Sequence, residues 1–212
     1  MSEKTRVTYC GQSLFVIESS NGIKIGIDPY NRLFIAKLPD IEADIALVTH
    51  NHPDHSNISL FKGNPKVIKT IGNYSVKGIS IEGLPSRHRF LRGKNIIFKI
   101  KVDNIVFCHL GDLGYIHEDD LLNKLKDTDI LFIPIGGTFT IDYKKAHEII
   151  GNINPSIAIP MHYRGKNSRI RFLDTIDNFL SLAKVYKLKD KTIILSKDDL
   201  PEKSEIWVLR SS

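Results

Sequence analysis

Thr49-His50-Asn51-His52-Pro53-Asp54-His55 sets three imidazoles and one carboxylate among the six residues from His50 to His55. The stretch follows Ile45-Ala46-Leu47-Val48, which reads as a short buried strand. Its polar residues therefore lie in the loop past that strand's C-terminal end, where α/β folds bind ligands. Imidazole and carboxylate together suit a divalent first-row metal and need none of the thiolates that a structural zinc site prefers. Residues so close in a loop point in different directions, and Pro53 stiffens the middle by fixing its φ. The spacing thus suggests two adjacent ions, His50 and His52 on one, Asp54 and His55 on the other. The competing reading is a polar loop whose histidines cap backbone groups.

Upstream, Val7 to Cys10, Leu14 to Glu18 and Ile23 to Ile27 are β-rich runs. Asn21-Gly22 between the last two is a strong hairpin signal, and the meander ends at Asp28-Pro29. Downstream, Lys66 to Thr70, Ile79 to Glu82, Ile96 to Val102 and Ile105 to His109 read as strands, the last pair joined by the turn Asp103-Asn104. Helical periodicity marks Glu118 to Lys126, Tyr143 to Ile150 and Arg171 to Val185. Two apolar strands, Ile130 to Ile133 and Ile157 to Ile159, lie between them, and Thr192 to Ser196 with Glu205 to Leu209 reads as a closing hairpin. The expectation is an α+β fold, two β-rich halves without linker or short repeat, forming one domain over residues 1–212.

The chain has 212 residues, enough to bury a core without staples. Its only cysteines, Cys10 and Cys108, lie in separate strand-like runs and suit a reducing compartment. Neither an apolar leader after Met1 nor a run near the ~18 residues of a membrane span is seen. A cytoplasmic protein without membrane contact is expected. The net charge of +6 and pI near 9.2 favour an anionic partner; the oligomeric state is left open.

A two-ion site needs more ligands, and three residues sit just past strand ends. They are His88 in Pro85-Ser86-Arg87-His88, Asp112 in His109-Leu110-Gly111-Asp112, and His162 in Ile159-Pro160-Met161-His162-Tyr163. His117 and His147 read as helix-surface residues, with no partner for His147 in view.

The pattern His50-x-His52-x-Asp54-His55, followed by a later His, a Gly-Asp and a final His, resembles the metallo-β-lactamase superfamily of metal-dependent hydrolases. Ile27-Asp28-Pro29, His109-Leu110-Gly111-Asp112, Pro134-Ile135-Gly136-Gly137-Thr138-Phe139-Thr140 and Ile159-Pro160-Met161-His162-Tyr163 are similar to the branch that includes L-ascorbate-6-phosphate lactonase. The likeness runs from about Tyr9 to Arg164. It implies a four-layer αββα sandwich with a dinuclear site at the edge between the two sheets. It also implies His50, His52 and His88 on one ion, Asp54, His55 and His162 on the other, and Asp112 as the bridge. Asp28 and His109 would orient ligand imidazoles. Better-known members carry the third histidine in a Gly-rich stretch where this chain has Arg87-His88-Arg89, which leaves His109 as a rival for that position.

Two divalent ions, zinc or manganese with iron also fitting, would lower the pKa of a bridging water towards ~7 and give hydroxide at neutral pH. Asp54, His52 and Asp112 are the expected catalytic residues, Asp54 or the second ion handling the proton and leaving group. The bond is a phosphoester or a lactone-type ester. Arg87, Arg89, Arg92 and Lys94 beside His88, and Arg164, Lys166, Arg169 and Arg171 beyond His162, would form an electropositive funnel for an anionic small molecule. Their alternative is solvated loop charge with snorkelling stems. Tyr163 and Thr138 are candidate substrate contacts. Gly136-Gly137 either brings backbone close to the site or only turns the chain before the next helix. The competing functions are a nuclease or phosphodiesterase acting on nucleic acid, disfavoured by the absence of the large inserted domain of nuclease members, and a non-catalytic metal-bound module. A two-iron redox enzyme would use the same ligands but finds no flavin domain.

Overall fold

β1 (Thr5–Gly11), β2 (Leu14–Glu18) and β3 (Lys24–Ile27) form the expected antiparallel meander. β5 (Ile45–Leu47) and β7 (Lys66–Ile68) then add in parallel, and β15 (Thr192–Leu195) closes the other edge in the order β15-β1-β2-β3-β5-β7. This computed structural model describes residues 3–31, 33, 40–89, 93–116, 119–165, 168–183 and 186–210.

The second sheet repeats the scheme. β8 (Gly72–Val76), β9 (Ile79–Arg87), β10 (Lys94–Val102) and β11 (Ile105–His109) run antiparallel. β12 (Ile130–Pro134), β13 (Ile157–Met161), β16 (Glu205–Leu209) and β14 (Tyr186–Lys189) follow in parallel, giving β14-β16-β13-β12-β11-β10-β9-β8.

Strand alternation explains how the sheets face each other. Ile45 and Leu47 of β5, Ile130 and Phe132 of β12, and Ile157 and Ile159 of β13 join one core between the sheets. The residues between them point outwards into other clusters, Ala46 beneath the first sheet and Leu131, Ile133 and Ala158 beneath the second. Strands buried on both faces are apolar throughout, which is why they read as continuous runs.

The outer face of the second sheet is covered by α1 (Asp119–Leu125), α2 (Tyr143–Ile153) and α3 (Ile176–Leu180). α2 begins at Asp142, whose side chain accepts from the Lys145 N–H, and ends at Asn154 with φ 54°. The outer face of the first sheet is covered, among the described residues, by Tyr30, a single 3₁₀ turn at Ile58–Leu60 and the ribbon of β4 (Ile41–Glu42) with β6 (Phe61–Lys62). Phe61 lies over Gly26, where any Cβ would run into its ring. The architecture is the expected α+β sandwich of two sheets with outer layers.

Four local expectations are corrected. Thr192 to Ser196 and Glu205 to Leu209 form no hairpin: β15 joins β1 while β16 joins β13 and β14 in the other sheet. The 3₁₀ turn Lys197–Asp199, held by a reciprocal Ser196–Asp199 cap, carries the chain between sheets. The helix expected over Arg171 to Val185 shrinks to Ile176–Leu180, because Arg164 N–H to Asp174 O (2.8 Å) and Asp174 N–H to Gly136 O (2.9 Å) hold the chain ahead of it in a loop. β9 runs past Glu82 to Arg87; Pro85 is tolerated since β8 pairs only as far as Gly83, leaving its missing N–H on an open edge. His147 has a partner after all, Nε2 lying 2.8 Å from Phe179 O with the two rings stacked. His117 lies outside the described residues.

Candidate metal centre

The loop after β5 crosses the open end of the sandwich and meets the loops after β9, β11 and β13. Two ligand groups result, each with its donor atoms within 4.8 Å of one another: His50, His52, His88 and Asp112, and Asp54, His55 and His162. Asp112 stands between them. Its Oδ2 lies 3.7 Å from His50 Nε2 and 3.8 Å from His88 Nδ1, while Oδ1 lies 3.2 Å from His55 Nε2 and 3.3 Å from His162 Nε2. Asp54 Oδ2 completes the second group at 3.4 Å from His55 Nε2 and 3.8 Å from His162 Nε2.

His50 Nε2, His55 Nε2 and Asp112 Oδ1 are buried without a hydrogen-bond partner. Orphaned polar atoms are costly in a protein interior, and these converge on one another. They fit cations in both groups, and the absence of thiolates suits a reactive site more than a structural one.

The electrostatics agree. Burial and the neighbouring His55 push His50 down to about 2, so its imidazole is neutral. Burial would also lower His55, but Asp112, Asp54 and Asp28 outweigh it and raise His55 well above the ordinary value. Burial favours the neutral form of Asp112 and Asp54, yet His162 and His55 hold both carboxyls far below the usual range. Three buried or half-buried carboxylates thus crowd into one small volume, a concentration of negative charge that bound cations relieve.

Neighbours aim the ligands. Asp28 is fully buried; Oδ2 accepts from Thr49 Oγ1 at 2.7 Å and meets His55 Nδ1 at 2.8 Å, while Oδ1 accepts from the Thr49 N–H at 2.8 Å. Thr49 Oγ1 also lies 2.9 Å from His50 Nδ1. One carboxylate therefore fixes the outer nitrogens of both histidines, directly or through Thr49. Asp28 and His162 have φ 52°, a conformation that non-glycine residues rarely adopt and that functional sites favour.

His109 stands apart from the first group. Its Nε2 lies 2.9 Å from Ser13 O and its Nδ1 accepts from the Gly111 N–H at 3.1 Å, so both ring nitrogens are engaged away from the ligand groups. His88 stands in the cluster instead. Three residues that the sequence reading passed over belong to the same frame. Gln12 Nε2 donates to Asp54 Oδ2 at 3.3 Å, and its carbonyl accepts from the His162 N–H at 2.8 Å. Asn95 Oδ1 accepts from the Asp112 N–H at 3.0 Å, and Thr49 acts as above. Gln12 is the only glutamine of the chain, the one signal that could have drawn attention to it.

Glycines allow the loops to close. A Cβ on Gly136 would strike the His162 carbonyl oxygen, and one on Gly114 the backbone at His88 and Arg89. Gly136 therefore brings backbone to the site and does more than turn the chain before α2.

The expected substrate contacts fare differently. A cleft of about 150 Å³ opens beside the second group, lined by His52, Pro53, Asp54, Asp112, Phe139, His162, Ile170 and Phe172. Arg87 lines a separate cleft with Tyr115 and Lys124. Arg164 is exposed, its Nη1 donating to Arg171 O at 3.0 Å. Arg92 and Lys166 lie outside the described residues. Among the described residues, then, no arginine or lysine lines the cleft; strand alternation turns Arg87 away from the face that buries His88. Tyr163 is only 8% exposed and packs in the core under the helices. Thr138 Oγ1 donates to Phe172 O at 2.9 Å, a loop fastening.

Comparison with known proteins gives consistent matches. Residues 6–162 match the model of the β-lactamase superfamily domain. A metal-dependent hydrolase of Thermococcus onnurineus is 32% identical over 74% of this chain and 84% of its own length. One from Pelotomaculum thermopropionicum is 29% identical with the same coverage. Among solved structures, a Thermotoga maritima protein assigned as a Zn-dependent hydrolase of the metallo-β-lactamase superfamily aligns over 98% of this chain and 100% of its own, with 33% identity and a TM-score of 0.82.

Proposed function

The chain belongs to the β-lactamase superfamily, and from that premise we propose that it is a metal-dependent hydrolase using two divalent ions. His50, His52 and His88 would hold one ion and Asp54, His55 and His162 the other, with Asp112 standing between the two groups. The observation carrying this reading is the geometry of Asp112, whose Oδ2 and Oδ1 face separate histidine sets at 3.2 to 3.8 Å in a buried setting.

Divalent ions held there supply Lewis acidity and bring the pKa of water down towards ~7. The rest falls to the chain. Asp28 and Thr49 keep the imidazoles of His55 and His50 aimed inwards. Asp54, a carboxylate at the cleft wall steadied by Gln12, takes a proton from the attacking water and passes it to the departing oxygen, and His52 shares that wall. Asn95 holds the Asp112 main chain so that its carboxylate stays between the two groups.

The bond is a phosphoester or a lactone-type ester of a small molecule. Zinc or manganese are the expected metals, with iron suited to the same donors. Both cysteines are free and buried, which suits a reducing, cytoplasmic setting; no described helix is long and apolar enough to cross a membrane.

The test pairs metal analysis with an ester panel. Purified protein should carry about two ions per chain, lose hydrolysis on chelation and regain it with zinc or manganese. Hydrolysis indifferent to chelation would overturn the reading, and metal binding without any hydrolysis would favour a non-catalytic module.

A further inference from the structure

The cleft beside the ligand groups has a mixed lining. His52, Asp54, Asp112 and His162 are polar; Pro53, Phe139, Ile170 and Phe172 form its apolar wall. Phe172 is 59% exposed, so its ring is open to a ligand. Its ring stands edge-on to Phe139, centroids 5.5 Å apart at 73°, a preferred aromatic geometry.

This wall is fastened in place. Thr138 Oγ1 donates to Phe172 O, Arg164 Nη1 to Arg171 O, and the Arg89 N–H to Phe139 O at 3.1 Å. The Asp174 N–H to Gly136 O bond ties the same loop to the one that supports His162. A preset apolar surface loses little entropy when it receives a ligand. The charge of the cleft points the same way: its lining offers two carboxylates and, among the described residues, neither lysine nor arginine to clamp a phosphate. Its volume of about 150 Å³ limits it to a small group.

We infer that the substrate is a carboxylic ester or lactone whose acyl side bears an aryl or branched alkyl group, seated against Phe172, Phe139 and Ile170. The inference rests on the hydrolase reading and narrows it. In the reaction, water oxygen joins the acyl carbon and the acyl C–O bond breaks. One water proton goes to the departing alkoxide, leaving a carboxylic acid and an alcohol.

The test compares methyl phenylacetate, methyl acetate and bis(4-nitrophenyl) phosphate with the metal-loaded protein. The phenylacetate ester should be favoured over the acetate ester by at least about tenfold in kcat/KM, the scale on which apolar pockets discriminate, and over the phosphodiester as well. Phe172→Ala, at an exposed position and so retaining the fold by circular dichroism, should bring the two carboxylic esters within about threefold of each other, mainly through KM. Calorimetry of phenylacetate against acetate should show the same preference without turnover. Equal handling of the two esters, preference for the phosphodiester, or an unchanged ratio in Phe172→Ala would overturn the inference. If no ester is turned over, the hydrolase reading fails separately, and the calorimetric preference still decides whether the wall receives an apolar group.

Discussion

The first sheet delivers four candidate ligands from one loop, His50 to His55, whereas the second delivers three from three loops, at His88, Asp112 and His162. Both sheets share the scheme of an antiparallel meander passing into parallel strands. They differ in where precision is stored. In the first, Pro53 and the Asp28–Thr49–histidine contacts fix a local constellation. In the second, each ligand depends on another loop lying close, with Gly111, Gly114 and Gly136 at the crossings. The second set is therefore the one that small changes in backbone packing should disturb.

Asp112→Asn should have the largest effect, because this single residue faces both groups. Roughly a thousandfold loss of kcat/KM is expected, the scale of losing a central electrostatic group, with metal content falling below one ion per chain by mass spectrometry. If both ions stay, the bridging role is wrong and the two sheets are more independent than they look. Gly136→Ala comes next. It should displace His162 and remove the second ion alone, with about a hundredfold loss of activity, as expected when a reacting group is misplaced by about 1 Å; retention of both ions would show that the crossing tolerates a side chain. His109→Gln should have the smallest effect. It breaks the Ser13 and Gly111 contacts and should lower unfolding free energy by about 1–3 kcal/mol in urea titrations while both ions remain. Loss of an ion in that variant would return His109 to the ligand set.

The difference between the sheets also sets what could be read in advance. His50 to His55 was legible because its ligands are neighbours in sequence. His88, Asp112 and His162 were candidates only as strand-end residues, and choosing His88 over His109 needed the hydrogen bonds that occupy both nitrogens of His109. Gln12 and Asn95 were silent, since an amide becomes a positioning group only when folding sets it beside a ligand. Arg87 shows a related limit: adjacency to His88 in sequence puts it on the opposite side of the strand, beside another cleft. Strands buried on both faces were plain from composition. The partners of β15 and β16 were not, because adjacent strands usually pair and nothing in their residues marks them for different sheets.

That divergence of β15 and β16 ties the beginning of the protein to its end. Thr5 pairs with Leu195, and Thr8 and Thr192 share a hydroxyl contact across 184 positions of chain. During synthesis β1 can pair with β2 at once, but its other edge stays open until β15 has emerged. Closing so long a loop is entropically slow. The first sheet, which holds the densest set of candidate ligands, is therefore sealed only when β15 arrives, and a ribosome-bound chain would have its histidine loop written long before the sheet that carries it is complete.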